Sequence, residues 1–225
     1  MLYLPREGKF HFSDYTTYKS SPATYIKRFF HGQDNLNTKA IQFGSEFMRL
    51  MEFEPEHPLV ADIPHHPHIE YDLQCMLGGI IPILTHPDSI DIDNTLGIYE
   101  YKTALGHTAW NSRMVYKQKQ ISFYQTCVRE LKGEFNPDDN FIVEIRTNRK
   151  ATTPIDGIIW NSTEQPKYQE VERAREECGG YVKPLFHRRV VTAVEMDILR
   201  DDIIKVALEV SALYKKHLDD LYESI

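Results

Sequence analysis

The sequence predicts a mixed α/β protein, with a small central β-sheet flanked by helices. Three observations carry that prediction. Apolar residues recur at helical spacing near both ends of the chain. Extended segments on either side of a turn between 69 and 102 read as a hairpin. A further helical pattern then separates that hairpin from more strand-like text, as a sheet layered with helices requires. At 225 residues, the chain fits one domain spanning 1–225. It divides into N-terminal helices at about 20–55, a hairpin at about 69–103 and a long C-terminal helix at about 192–222.

The first twenty residues are rich in Tyr, Ser and Thr and show no clear period. Ser21-Pro22 then starts a helix, with serine as cap and proline in the first turn; it runs to about Phe30. Residues 32–37 form a turn cluster. A second helix is expected over 38–53, where Phe43, Phe47, Leu50 and Met51 recur at helical spacing. The Pro- and His-rich stretch 54–67 is a loop, and His65, His66 and His68 read as solvated surface rather than as a metal site.

Residues 69–84 are extended and apolar, with a bend or bulge at Gly78-Gly79. Isoleucine alternates with aspartate over 89–93, Asn94-Thr95 turns the chain, and 96–102 returns as a strand. A helix is expected over 109–131, buried along Met114, Ile121, Val128 and Leu131. Residues 133–140 turn. Strands follow at 141–147, with Phe141, Val143 and Ile145 on one face, and at 155–160. A charged helix over 165–178 stops at Gly179-Gly180. The last helix opens on the capping box Thr192-x-x-Glu195. Val194, Ile198, Leu208 and Leu221 sit among its charges, which suits a packing helix or an oligomer contact.

Composition removes several function classes. Hydrophobic residues are 41% and charged residues 26%, enough for a core and too few charges for global disorder. No apolar run reaches the roughly 18 residues of a membrane span, and the N-terminus lacks the apolar stretch of a signal peptide. The expected location is the cytoplasm, the host's if the protein is phage-encoded. Cys75, Cys127 and Cys178 are dispersed and odd in number, against a disulfide framework, a zinc knuckle or a four-cysteine cluster. The net charge of −7 leaves DNA contact to local patches. The candidates are Arg113/Lys117/Lys119, Arg146/Arg149/Lys150 and Lys183/Arg188/Arg189.

The chemistry concentrates in Gly97-Ile98-Tyr99-Glu100-Tyr101-Lys102-Thr103. Strand alternation puts Glu100 and Lys102 on one face. There the acid can bind a divalent metal while the lysine orients water or offsets charge on a phosphate. Tyr101 points the other way, leaving its carbonyl as a metal ligand. A two-residue turn at Asn94-Thr95 pairs Asp93 with Leu96 and Ser89 with Glu100, and brings Asp88 near Lys102. Asp88 is the first choice for the second carboxylate and Asp91 the second. Hard oxygen ligands on an open site suit Mg²⁺ or Mn²⁺. Taken alone, Glu100 and Lys102 would equally suit an ordinary strand ion pair.

Pro87-Asp88 followed by Glu100-Tyr101-Lys102 resembles the full motif of the PD-(D/E)XK nucleases. The text GIYEYKTA is similar to their RecB-like and phage exonuclease branch, which includes the RecE and lambda exonuclease types. QISFYQ, with Gln120 and Tyr124, resembles that branch's QxxxY signature. SPATYIKRFF and FGSEFMRLMEFEPE resemble the N-terminal helices of RecE-like exonucleases. Together these stretches cover about 20–132. The resemblance implies a restriction-endonuclease-like core and a Mg²⁺- or Mn²⁺-dependent DNA exonuclease. It implies a metal held by Asp88, Glu100 and the Tyr101 carbonyl, and catalysis through Asp88, Glu100, Lys102, Gln120 and Tyr124. DNA is the implied partner, with a single-strand annealing protein in recombination and a homo-oligomeric assembly alongside.

Arg113, Lys117, Gln120 and Tyr124 fall at i, i+4, i+7 and i+11, one helical stripe that can face DNA. Two positions depart from the family pattern. Met48 stands where the branch offers a histidine, which makes Glu46 the acid to take over as metal ligand, with Glu52 one turn beyond Met48. Gly79-Ile80-Ile81-Pro82 matches the branch's GxxD spelling with proline in the aspartate position. The spacing of a short hairpin favours Asp88 over the Pro82 position. The alternative function is a catalytically degenerate nuclease fold that binds DNA or protein.

Overall fold

The computed structural model describes residues 2–33, 39–57, 60–61, 63–104, 111–146 and 185–223. The strand expected at 155–160 and the helix expected at 165–178 lie outside these residues. The described elements confirm a mixed α/β architecture around a five-stranded sheet.

Two helices open the chain. The helix α1 (Phe12–Ser20) has no counterpart in the sequence reading. It buries Asp14 and Tyr15 rather than an apolar stripe, so no period announces it. The His11 amide donates to Asp14 Oδ2 at 2.8 Å, closing its first turn. α2 (Pro22–Phe29) begins as expected, with Ser21 Oγ accepting from the Thr24 amide at 3.2 Å. α3 (Lys39–Phe53) buries Phe47, Leu50 and Met51.

The sheet order is β1 (His68–Ile69), β4 (Ser89–Ile90), β5 (Ile98–Ala104), β6 (Asn140–Arg146) and β7 (Leu185–Arg188). Only the β5–β6 pair is parallel, and α4 (Ser112–Lys117) and α5 (Gln120–Lys132) supply its crossover. The segment expected to be extended over 69–84 mostly folds apart from this sheet. β2 (Leu73–Leu77) and β3 (Ile81–Thr85) form their own hairpin. Its turn uses Gly78 and Gly79 at φ +61° and +70°, values that glycine adopts without cost.

The register of β4 against β5 differs from the predicted one by one residue. Ser89 faces Tyr99 and Ile90 faces Ile98, so Ser89 does not meet Glu100. The cause is a wider loop in place of the two-residue turn. Asp91 Oδ1 accepts from the Asn94 amide at 3.2 Å and from Asn94 Nδ2 at 3.1 Å. Asp91 Oδ2 accepts from the Thr95 amide at 3.1 Å, and the Leu96 amide returns to the Asp91 carbonyl at 2.8 Å. The side chain of Asp91 is thereby committed to the turn, which corrects its standing as a second metal carboxylate. Burial works against its charge, but these donors outweigh that and hold its carboxyl below the usual range.

The helix predicted over 109–131 is interrupted. Gln118 is extended (φ −72°, ψ 113°) and ends α4; α5 restarts two residues later, with the Gln120 amide donating to Gln118 Oε1 at 3.2 Å. Leu131, expected on the buried stripe, is 47% exposed. α6 (Ala193–Glu223) is the long last helix that the sequence predicts. It buries Met196, Leu199, Ile203, Val206, Ala207 and Val210, while Val194, Ile198, Leu208 and Leu221 are exposed.

Both faces of β5 and β6 are covered. Ile98 and Ile142 join the larger core with α5 and α6. Tyr101 and Val143 join a smaller one with Phe47, Leu50 and Met51 of α3. Among the described residues, no helix is long and apolar enough to cross a membrane.

Candidate active site

Strand alternation sets the polarity of the site. Glu100 and Lys102 share the face of Ile98, toward α5, while Tyr101 faces α3. The strand register extends by one residue past the ladder to place Asp88 opposite Glu100. The same extension sets Pro87 opposite Tyr101. Proline has no N–H to give, so the ladder stops there. The Tyr101 amide turns to Asp88 Oδ2 at 2.8 Å instead, and the Tyr101 carbonyl lies on the same strand edge, beyond the end of β4.

Lys102 Nζ lies 2.5 Å from Glu100 Oε1. The second oxygen, Glu100 Oε2, is buried without a hydrogen-bond partner, and Glu100 is 1% exposed. The Asp88 carboxyl lies within hydrogen-bonding reach of the Glu100 carboxyl. Two ionised carboxylates have no proton to donate, so Oε2 is satisfied only when a proton or a cation joins the pair. Burial raises the Asp88 carboxyl well above its usual range, and the Glu100 charge adds to that; Lys102 and the Tyr101 amide only partly oppose it. Burial also raises Glu100, against the pull of Lys102. Asp88 keeps part of its surface open to solvent although protein atoms surround it, so it is reachable but poorly hydrated. Burial disfavours the Lys102 cation, yet Glu100 and Asp88 outweigh this and hold its pKa above the lysine norm. Lys102 is therefore an ammonium group that donates hydrogen bonds.

A relay fixes this lysine. Gln120 Oε1 accepts from Lys102 Nζ at 3.1 Å, and Gln120 Nε2 donates to Tyr124 Oη at 2.6 Å. Tyr124 Oη donates to the His86 carbonyl at 3.1 Å. Helical spacing puts Gln120 and Tyr124 on one side of α5, and Tyr124 is buried. The relay thus ties Lys102 to the backbone two residues before Asp88.

A cleft of about 610 Å³ is lined in part by Met48, Glu52, Glu70 and His86. The sequence reading had no role for Glu70. It stands at φ +48°, and its amide donates to the Asp88 carbonyl at 3.1 Å. Burial first, then the charges of Glu100 and Glu52, push its carboxyl up to about 7. Its only signal in the sequence was a lone acid after a short strand, and that strand's partner lies twenty residues away. The His86 ring pairs with Asp72 at 2.9 Å.

Other expected residues are placed elsewhere. Pro82 sits in the separate β2–β3 hairpin opposite Met76, and its carbonyl accepts the Phe10 amide at 2.8 Å. It therefore does not stand across from Glu100. Arg113 and Lys117 are exposed on α4, and the break at Gln118 removes them from a continuous stripe with Gln120 and Tyr124. Arg188 pairs with Asp138 at 2.8 Å, and Arg189 is buried against Glu195 and Ser122; neither is free for phosphate. The side chain of Glu46 lies outside the described residues, as do the side chain of Arg146 and the whole of Arg149, Lys150 and Lys183.

His68 binds Asp93 at 2.9 Å and the His66 ring lies 4.0 Å from the Tyr99 ring. Among the described residues, no group of three or more His, Cys, Asp or Glu is arranged to hold a metal ion. The donor set is thus two carboxylates and a backbone carbonyl. That set fits a hard divalent cation keeping several waters, and the unpartnered Glu100 oxygen is the observation in its favour. No family model matches this chain, and no curated protein matches it.

Proposed function

We propose that the chain is a divalent-cation-dependent deoxyribonuclease on a restriction-endonuclease-like core. One observation carries this reading. The partly open carboxyl of Asp88 faces the buried carboxyl of Glu100, leaving one Glu100 oxygen unpartnered while an ammonium group is held at their side. A merely structural ion pair has no use for the second acid, which raises the cost of burying the first.

Asp88, Glu100 and the Tyr101 carbonyl would hold Mg²⁺ or Mn²⁺. When bound, the cation supplies charge for the phosphate and a water of lowered pKa. The protein's own groups do the remaining work. Lys102, kept cationic by the acids and aimed by Gln120, donates to the attacking water or to a phosphate oxygen. The water oxygen bonds to phosphorus and gives up a proton to solvent, the phosphorus–oxygen bond to the leaving sugar breaks, and that oxygen takes up a proton from solvent. Tyr124, a buried neutral phenol, holds the segment that carries Asp88. The exonucleolytic mode and the duplex substrate rest on the resemblance to phage enzymes.

The test is cleavage of linear duplex DNA with Mg²⁺ or Mn²⁺. Activity that chelation removes and Lys102→Ala abolishes supports the reading. DNA binding without cleavage under any divalent cation overturns it. That second outcome belongs to a degenerate, DNA-binding fold, which Met48 and the lack of a three-ligand group among the described residues favour.

A further inference from the structure

We propose that Glu70 completes the cation site, holding the cation's water shell from the side of the cleft that Met48 lines. The inference rests on the cation reading above and adds a residue to it.

The strand register carries the argument. Ile69 faces Ser89 across β1 and β4, and Ser89 faces Tyr99 across β4 and β5. One step past both ladders, the same register lines up Glu70, Asp88 and Glu100 as a row of three acids on three neighbouring strands. Directly opposed residues of antiparallel neighbours lie close, and the charges of Glu100 and Glu70 both act on Asp88. Like charges in such a row are unfavourable without a cation between them.

Three further observations fit. The backbone at Glu70 is left-handed at φ +48°, an uncommon state for a residue with a long side chain and one that clusters at functional sites. The amide at that bend donates to the Asp88 carbonyl, which locks the two acids together. Glu70 also lines the cleft that Met48 borders. Arg49 is the only arginine or lysine among the described lining residues, and it pairs with Glu54 at 2.8 Å. The charges acting on Glu70 are those of Glu100 and Glu52. The direct sign of a ligand is the buried and unpartnered Oε2 of Glu100, in a side chain only 1% exposed.

An outer-shell role agrees with the lack of three direct ligands among the described residues. Mg²⁺ keeps much of its water and needs acceptors for it. Partners of this kind typically change metal affinity about 10- to 100-fold.

The experiment is Mn²⁺ titration by calorimetry on the full chain, with melting temperature measured in chelator and in Mn²⁺. The variants are Glu70→Gln and Glu70→Asn; asparagine tolerates the left-handed backbone better and guards against a folding defect. Glu223→Gln, at the exposed end of α6, is the control. The expected result is wild-type binding that weakens about tenfold or more in both Glu70 variants, with melting in chelator unchanged or raised, and with Glu223→Gln binding like wild type. Unchanged Mn²⁺ affinity in Glu70→Asn overturns this inference alone. Failure of the wild-type chain to bind Mn²⁺ overturns the cation reading and the inference with it.

Discussion

Asp88 Oδ2 accepts the backbone N–H of Tyr101 at 2.8 Å, which ties the carboxylate of one strand to the main chain of the next. This bond exists because Pro87 stands where a ladder partner would be. One oxygen of Asp88 is held in place, and the carboxyl is set against Glu100. Asp88→Asn keeps an acceptor for Tyr101 but removes a buried negative charge. The variant is expected to melt at or above the wild-type temperature in chelator near pH 8, and to lose the shift that Mn²⁺ gives the wild-type chain. A lower melting temperature in chelator together with a full Mn²⁺ shift would show that the charge is structural.

Tyr124 and Gln120 act on the site through others. Tyr124→Phe removes the donor to the His86 carbonyl and leaves the phenyl packing intact. Gln120→Ala removes the second acceptor that aims Lys102 and leaves it Glu100 alone. Each is expected to lower kcat about 10- to 100-fold, the range seen when a supporting shell is cut. KM for DNA should change little, because Tyr124 is buried and its hydrogen bonds stay within the protein. A KM rise at constant kcat would instead mean that these groups touch the substrate. The steady-state split between the two constants decides it.

How much of this was legible in the sequence follows from the range of each interaction. Glu100 and Lys102 on one face needed only strand alternation, and Gln120 with Tyr124 only helical spacing. Asp88 was found by its spacing, but its register was off by one residue. The difference lay in a loop whose side-chain bonds from Asp91 are not visible as a pattern. Glu70 was invisible because β1 reaches β4 past an intervening hairpin. The facing of α6 is left open by the sequence for another reason. Val194 and Ile198 are as apolar as Met196 and Leu199, and only the packing of α5 against the helix chooses between those faces.

The acid-facing half of the stability curve should show two opposed groups. Burial lowers His11 to about 4, helped by the charges of Arg6, His86 and Lys9. Its contribution is complete above its unfolded pKa near 6.5 and falls as pH drops toward 4. Burial raises Asp14 to about 6 against the pull of Arg6. The folded form then binds more protons than the unfolded one, so its contribution falls as pH rises from about 4 to 6. The two slopes cancel in part between pH 4 and 6. Asp14→Asn removes one of them and leaves the acid sensitivity of His11 exposed. Its melting temperature should fall more steeply than wild type from pH 7 to 5, by several degrees. Parallel curves for the two proteins would reject this coupling.

Gly97 opens β5 with no room for a side chain. A Cβ there would meet Asp139 Oδ2 at 2.5 Å and the Asp139 carbonyl at 2.8 Å. The Ile98 amide donates to that same carbonyl at 3.0 Å, the first link of β5 to the turn before β6. Gly97→Ala must push the two strands apart where their parallel pairing begins. A loss of roughly 1–3 kcal/mol is expected in chemical denaturation, with weaker Mn²⁺ binding because Glu100 rides on the displaced strand. Stability within about 0.5 kcal/mol of wild type would mean that the turn at Asp139 yields.

The orientation of α6 gives a direct contrast between two isoleucines five residues apart. Ile203 is fully buried against the core that includes Phe123 and Val128 of α5, whereas Ile198 is 68% exposed. Ile203→Ala removes buried carbon and leaves a cavity, for an expected loss of about 2–5 kcal/mol. Ile198→Ala removes a side chain that is mostly in water and should cost under about 0.5 kcal/mol. Urea denaturation of both variants measures the difference. Equal losses would mean that Ile198 is covered in solution, and the concentration dependence of the Ile198→Ala midpoint would then report whether a second copy of the chain covers it.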